Sequence, residues 1–173
     1  YDRTVSYDHL IIATGCKTTF FGNKEMSEHA FSMKTTQESI EIRNKILFSL
    51  EKEIFARPED KQAWMNIIIV GGGPTGVELS GAFAELKNNV LPKDYHNIDF
   101  SKFNIILLEG SKSTLNNMSD VSKEASNKYL KDLGVIVRTE TLLTSYDGNI
   151  ATLNTGEKIP TKNVIWAAGV TGN

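Results

Sequence analysis

The chain has 173 residues, enough for one domain with a full core and no need of disulfides or a metal. Its 40% hydrophobic and 23% charged residues exclude wholesale disorder, and 19 basic against 21 acidic residues give a net charge of −2, which argues against a nucleic-acid grip. One cysteine, Cys16, excludes an internal disulfide and a cysteine-built zinc site, and no apolar run approaches the roughly 18 residues of a membrane span.

In chain order, Asp8-His9-Leu10-Ile11-Ile12-Ala13-Thr14-Gly15 is a short apolar run ended by glycine and suits a buried strand. Residues 16–34, punctuated by Gly22 and Asn23, read as loop. Thr35-Thr36-Gln37-Glu38 supplies a capping box, and Ile40, Leu47, Leu50 and Ile54 follow at near-helical spacing until Arg57-Pro58. Ile67-Ile68-Ile69-Val70 is continuously apolar and β-branched, as a central parallel strand covered on both faces would be. A helix from about Thr75 to Val90 is expected to stop before Pro92. Ile105–Glu109 reads as the next buried strand, Asp120 as the cap of a helix to Leu133 stopped by Gly134, and Val135–Val137 as a third strand.

The pattern then changes. Leu142–Tyr146, Ile150–Leu153 and Lys158–Pro160 are short strand candidates separated by Asp147-Gly148-Asn149 and Asn154-Thr155-Gly156, an antiparallel meander. Val164–Gly169 closes as another strand ended by glycine. The order predicts an α/β fold: a Rossmann-like, doubly wound parallel sheet with an antiparallel β-meander excursion.

The chemistry concentrates at Gly71-Gly72-Gly73-Pro74-Thr75-Gly76, a Gly-x-Gly-x-x-Gly between an apolar strand and an amphipathic helix. Glycine-rich turns are common, and it is this context that makes the loop a dinucleotide fingerprint. The first glycine permits the tight turn, the second lets backbone approach a pyrophosphate, and the third allows close helix–strand packing. The helix N-terminus adds unpaired N–H groups and about half a positive charge. Pro74 forfeits no useful donor there. Glu109, at the end of the next strand, is placed to accept hydrogen bonds from the adenosine ribose hydroxyls. It lies 33 residues beyond Gly76, whereas the usual offset is about 20, and residues 92–103 are expected to absorb the excess as an insertion. Such an acid also occurs in S-adenosylmethionine enzymes, so Glu109 alone does not fix the ligand. His9, His29 and His96 are scattered without metal-ligand spacing, and Ser80 and Ser111 lack a visible His/Asp partnership.

Ile68-Ile69-Val70-Gly71-Gly72-Gly73-Pro74-Thr75-Gly76-Val77-Glu78-Leu79 resembles the NAD-binding half of the pyridine nucleotide-disulfide oxidoreductase superfamily of FAD-dependent flavoproteins. Tyr7–Gly15 resembles the segment in which that family leaves its FAD domain, and Val164-Ile165-Trp166-Ala167-Ala168-Gly169-Val170 its return. The Trp-Ala-Ala-Gly-Val wording, and the long stretch between Glu85 and Phe103, are most similar to type II NADH dehydrogenases, the NADH:quinone oxidoreductases. There is no Cys-x-x-Cys or Cys-x4-Cys pair, which sets the disulfide reductases aside.

The resemblance implies an NADH-binding domain at residues 35–173, with residues 1–34 bordering an FAD domain absent from the chain. NADH, FAD in the full-length protein and a quinone acceptor are implied, as is peripheral attachment to the cytoplasmic side of a membrane. The piece itself is expected to be soluble, without membrane contact, and to bind nucleotide without turnover. Cofactor-binding candidates are Gly71, Gly72, Gly73, Pro74, Thr75, Gly76, Glu78, Glu109, Ala168 and Gly169; no catalytic or metal-ligating residue is assigned. Glu78 has two readings: an anion favourably placed at a helix N-terminus or, by resemblance, a group beside the nicotinamide. A ferredoxin-reductase-like flavin reductase and a non-catalytic nucleotide module remain the alternatives. The chain is expected to be a piece of a larger protein. Its residues 1–15 then fold irregularly or contact another chain, possible homodimer formation by strand swapping included.

Overall fold

A computed structural model describes residues 2–173; Tyr1 lies outside the described residues. The centre is a five-stranded parallel sheet in the order β2-β9-β3-β4-β5: Phe31–Ser32, Asn163–Trp166, Asn66–Val70, Asn104–Leu108 and Ile136–Arg138. Because strand side chains alternate, the sheet has two apolar faces. Ile67, Ile69, Ile105, Leu107 and Ile165 meet one cluster, and Ile68, Val70, Ile106, Leu108, Val164 and Trp166 the other.

Helices cover the first face. Ile42, Ile46 and Leu50 come from α2 (Thr36–Phe55), Phe83 and Ala84 from α4 (Pro74–Glu85), and Leu130 from α6 (Asp120–Asp132). The capping box of α2 forms as expected: the Thr35 hydroxyl accepts from the Glu38 N–H, and the Glu38 carboxylate accepts from the Thr35 N–H. The second face is covered by the meander β6 (Leu143–Tyr146), β7 (Ile150–Leu153) and β8 (Lys158–Pro160), through Tyr146, Ala151, Leu153 and Ile159. The Tyr146 hydroxyl donates to the Thr161 carbonyl within this layer, and burial raises its pKa above the ordinary phenol value. The α/β class and the parallel sheet are as expected, with the meander as an outer layer where helices would cover the second face of a doubly wound sheet.

Several boundaries differ from expectation. Leu10-Ile11-Ile12 forms no strand: residues 2–15 are irregular, and Ile11 is 89% exposed. The run is apolar but has no neighbouring strand to pair with. Residues 16–34, expected as loop, hold β1 (Cys16–Thr18), α1 (Lys24–His29, capped by the Asn23 side chain) and β2. The strand expected over Val164–Gly169 stops at Trp166, and a separate strand, β10 (Val170–Gly172), pairs antiparallel with β1. Helix α3 (Lys61–Met65) was not legible in the sequence pattern. The cap of α6 is Ser119, one residue before the expected Asp120.

The helix after the glycine loop does not stop before Pro92. A π-helical turn, Leu86–Val90, joins α4 to α5 (Leu91–Asp94), with the Leu91 N–H donating back to the Leu86 carbonyl. Pro92 sits at the start of the new segment, where a missing N–H costs little.

Candidate functional site

The carboxyl ends of β2, β9, β3 and β4 share one edge of the sheet, and a cleft of about 1140 Å³ opens along it. In open α/β sheets this edge is where ligands bind. It is lined by Gly71, Gly73, Pro74 and Thr75 after β3, Glu109–Ser111 after β4, and Ala167–Gly169 after β9. Phe20 and Phe21 close one side and Thr141–Thr144 another.

The loop departs from β3 at Gly71. Its φ of +108° is a conformation that side-chain-bearing residues avoid, and a Cβ there would lie 2.8 Å from the Ala167 carbonyl and the Ala168 backbone. At Gly76 a Cβ would stand 1.8 Å from the Gly71 carbonyl oxygen, so the third glycine is what lets α4 approach its own loop. Gly73 differs: its backbone is extended, and a Cβ there would meet nothing within 4 Å. Packing does not demand glycine at that point, and an empty approach for a ligand explains it. No side chain caps α4 at Gly73, Pro74 has no N–H, and the Thr75 and Gly76 N–H groups precede the first helical bond, which runs from the Val77 N–H to the Gly73 carbonyl.

Glu109 is brought to this loop despite the long spacing. Its carboxylate accepts from the Gly72 N–H at 2.6 Å and from the Ser111 N–H at 2.7 Å. A carboxylate offers about four acceptor positions, so these two bonds fix its orientation and leave capacity for a diol. The π-helical turn, α5 and the short 3₁₀ turn Phe100–Lys102 absorb the extra residues.

The structure thus gathers Gly71, Gly73, Pro74, Thr75, Glu109, Ala168 and Gly169 around one cleft, with Gly72 and Gly76 buried beneath it. Glu78 is not brought in. It is exposed, does not line the cleft, and is the fifth residue of α4, past the first turn where the helix dipole would favour it. Trp166 is buried, donates its indole N–H to the Thr19 carbonyl, and packs its ring 5.3 Å from that of Phe20. Sequence reasoning missed Phe20, Phe21, Asn117, Thr141 and Leu142 along the cleft, because their placement depends on contacts between distant segments. Among the described residues no group of three or more His, Cys, Asp or Glu is placed to hold a metal ion, and no helix is long and apolar enough to cross a membrane.

The family model of the pyridine nucleotide-disulphide oxidoreductases matches residues 1–173. The chain belongs to this family. It is 33% identical over 172 residues to the type II NADH:quinone oxidoreductase Ndh of Mycobacterium tuberculosis, covering 96% of this chain and 37% of that protein. It is 28% identical to the type II NADH:quinone oxidoreductase of Haemophilus influenzae, over 97% of this chain and 40% of the relative. The structure of NDH2 from Plasmodium falciparum in complex with NADH superposes with a TM-score of 0.89 at 28% identity, over 98% of this chain and 36% of that one. The chain therefore spans well under half the length of these relatives. The putidaredoxin reductase of a covalent complex with putidaredoxin, at 16% identity and a TM-score of 0.66, shares the fold.

Proposed function

We propose that this chain is the NADH-binding module of an FAD-dependent NADH:quinone oxidoreductase. Residues 35–173 are the bulk of its nucleotide domain, whose sheet β2 completes, and the segment up to residue 34 borders a flavin-binding domain. The observation that carries this is the Glu109 carboxylate held against the glycine loop beside the open face of Gly73. The names of the relatives support the same substrate and acceptor.

In this reading the adenosine ribose donates its two hydroxyls to Glu109. The pyrophosphate crosses Gly73 and receives hydrogen bonds from the free N–H groups at the start of α4. The nicotinamide half then runs over Ala168 and Gly169. Bound flavin supplies the hydride acceptor in such enzymes. The chain carries a single Gly-x-Gly-x-x-Gly loop, which does not provide a second dinucleotide site, so no step is assigned to flavin here and the isolated chain binds NADH without turnover. Quinone reduction, and attachment to the cytoplasmic face of a membrane, belong to the parent enzyme. Glu78, exposed and outside the cleft, has no part in this reading.

Glu109 also predicts the cofactor. A 2′-phosphate cannot donate to a carboxylate and adds negative charge beside it. At about 5 Å in a partly wet rim that costs roughly 1–2 kcal/mol, a five- to thirtyfold preference for NADH over NADPH of about that size. Titration of both nucleotides at fixed, modest salt tests it. Equal affinities, or an NADPH preference that survives Lys112→Ala, would remove Glu109 from the ribose.

A further inference from the structure

The cleft has a residue that the dinucleotide fingerprint does not include. Among the described residues only two charged side chains line it, Glu109 and Lys34. They stand at opposite ends: Glu109 follows β4, and Lys34 lies just beyond β2, on the far side of β9 and β3. With strands about 4.8 Å apart, β2 and β4 are separated by roughly 14 Å, and the glycine loop falls between them.

Lys34 is also placed against local electrostatics. It immediately precedes Thr35, the N-cap of the 20-residue α2, where the helix dipole disfavours a cation. The nearest acid in sequence, Glu38, does not neutralise it. That carboxylate accepts from the Lys34 backbone N–H at 2.9 Å and is further engaged by Ser32 and Thr35, and Lys34 is in none of the ion pairs among the described residues. These hydrogen bonds hold the Lys34 backbone and leave its ammonium uncommitted. A lysine that weakens its own helix start yet lines an otherwise cation-free cleft is explained by an anion in that cleft.

Resting on the NADH reading above, we infer that Lys34 is a binding residue for the nicotinamide-side phosphate of the dinucleotide. Glu109 fixes the adenosine end, the glycine loop and the start of α4 take the pyrophosphate from one side, and Lys34 supplies countercharge from the other. A ligand that carries the second phosphate therefore feels Lys34, and one that ends at the first does not.

The test is calorimetric titration of the 173-residue chain and its Lys34→Ala and Lys34→Arg variants with NADH, ADP-ribose and AMP at two salt concentrations. Lys34 is exposed and touches no core cluster, so the variants fold. Lys34→Ala is expected to weaken NADH and ADP-ribose by about tenfold each, leave AMP unchanged and flatten the salt dependence, with Lys34→Arg restoring most of the loss. Unchanged NADH affinity in Lys34→Ala overturns the inference. So does a loss confined to NADH, which places Lys34 on the nicotinamide ring, or an equal loss for AMP. Gly73→Val is the separate control: if it binds NADH as the wild type does, the dinucleotide site itself is wrong, whereas its failure beside an unaffected Lys34→Ala discards Lys34 alone.

Discussion

Leu10-Ile11-Ile12-Ala13 and Ile67-Ile68-Ile69-Val70 are nearly the same tetrapeptide, each followed within two residues by a glycine at positive φ. The second is the middle of the molecule, with Ile67, Ile68 and Ile69 wholly buried and paired on both sides by β4 and β9. The first is irregular, with Leu10, Ile11 and Ile12 61–89% exposed. Apolar β-branched residues suit a pleated, half-buried surface, and only a neighbouring strand and a covering layer supply one. The Ile-Ile pair shared by the two runs is strand in one and irregular in the other because of what surrounds it.

Substitution of one isoleucine in each run should reproduce that contrast. Ile69→Ala leaves a cavity in the core between the sheet and its helices and is expected to cost roughly 3 kcal/mol, whereas Ile11→Ala should stay within about 0.5 kcal/mol. Urea denaturation of the two variants measures both. A comparable loss at Ile11 would mean that the arm is packed in solution, against a second copy or against its own chain.

Two glycines beyond the runs, Gly76 and Gly15, sharpen the comparison. Gly76→Ala forces a methyl group into the Gly71 carbonyl, with an expected loss of about 2 kcal/mol and a displaced phosphate loop. Gly15→Ala meets only the Asn173 side chain at 3.7 Å, so its cost is confined to the strain of φ +77°, about 1 kcal/mol. Thermal melts of both variants, with and without NADH, separate packing from ligand loss.

The smallest effect concerns α2, the long helix packed on the central sheet. Its capping box should contribute about 1 kcal/mol, read from Thr35→Ala. The Ser32 hydroxyl first, then the Thr35 and Lys34 N–H groups and the Thr35 hydroxyl, hold the Glu38 carboxyl below its usual 4.5 against the opposing effect of burial. A depressed carboxylate pKa stabilises the fold above the unfolded-state value, and that contribution is lost as pH falls through the lower folded value. Glu38→Gln should therefore flatten the stability profile below about pH 4.5 while leaving the slope near neutrality unchanged. An unaltered acid limb would remove Glu38 from the linkage.

What the sequence made legible follows from the same contrast. The parallel strands β3, β4, β5 and β9, the glycine loop and Glu109 were readable because each is specified by a contiguous run or a fixed spacing, whereas the two-residue β2 was not. Glu109 was readable even with its long offset, because it terminates an apolar strand. The strand β10, the π-helical turn at Leu86–Val90 and the cleft residues Phe20, Phe21 and Thr141 were not. The strand and the cleft residues depend on pairing or packing with a segment far along the chain, as β10 does with Cys16–Thr18, and the π-helical turn is a local departure with no buried residue to mark it. Lys34 was passed over for a related reason: nothing in the run Met33-Lys34-Thr35 marks it, and its meaning comes from the cleft that β9 and β3 bring beside it.

The most direct test is the affinity of NADH for the wild-type chain and for Gly73→Val, measured by calorimetry alongside their melting temperatures. Gly73 has an extended backbone and empty space where a side chain would go, so the variant should melt as the wild type does. Its branched side chain should nevertheless occupy the approach of the pyrophosphate and weaken NADH by about tenfold or more. Wild-type affinity in a stably folded Gly73→Val would contradict the assignment of this loop as the dinucleotide site.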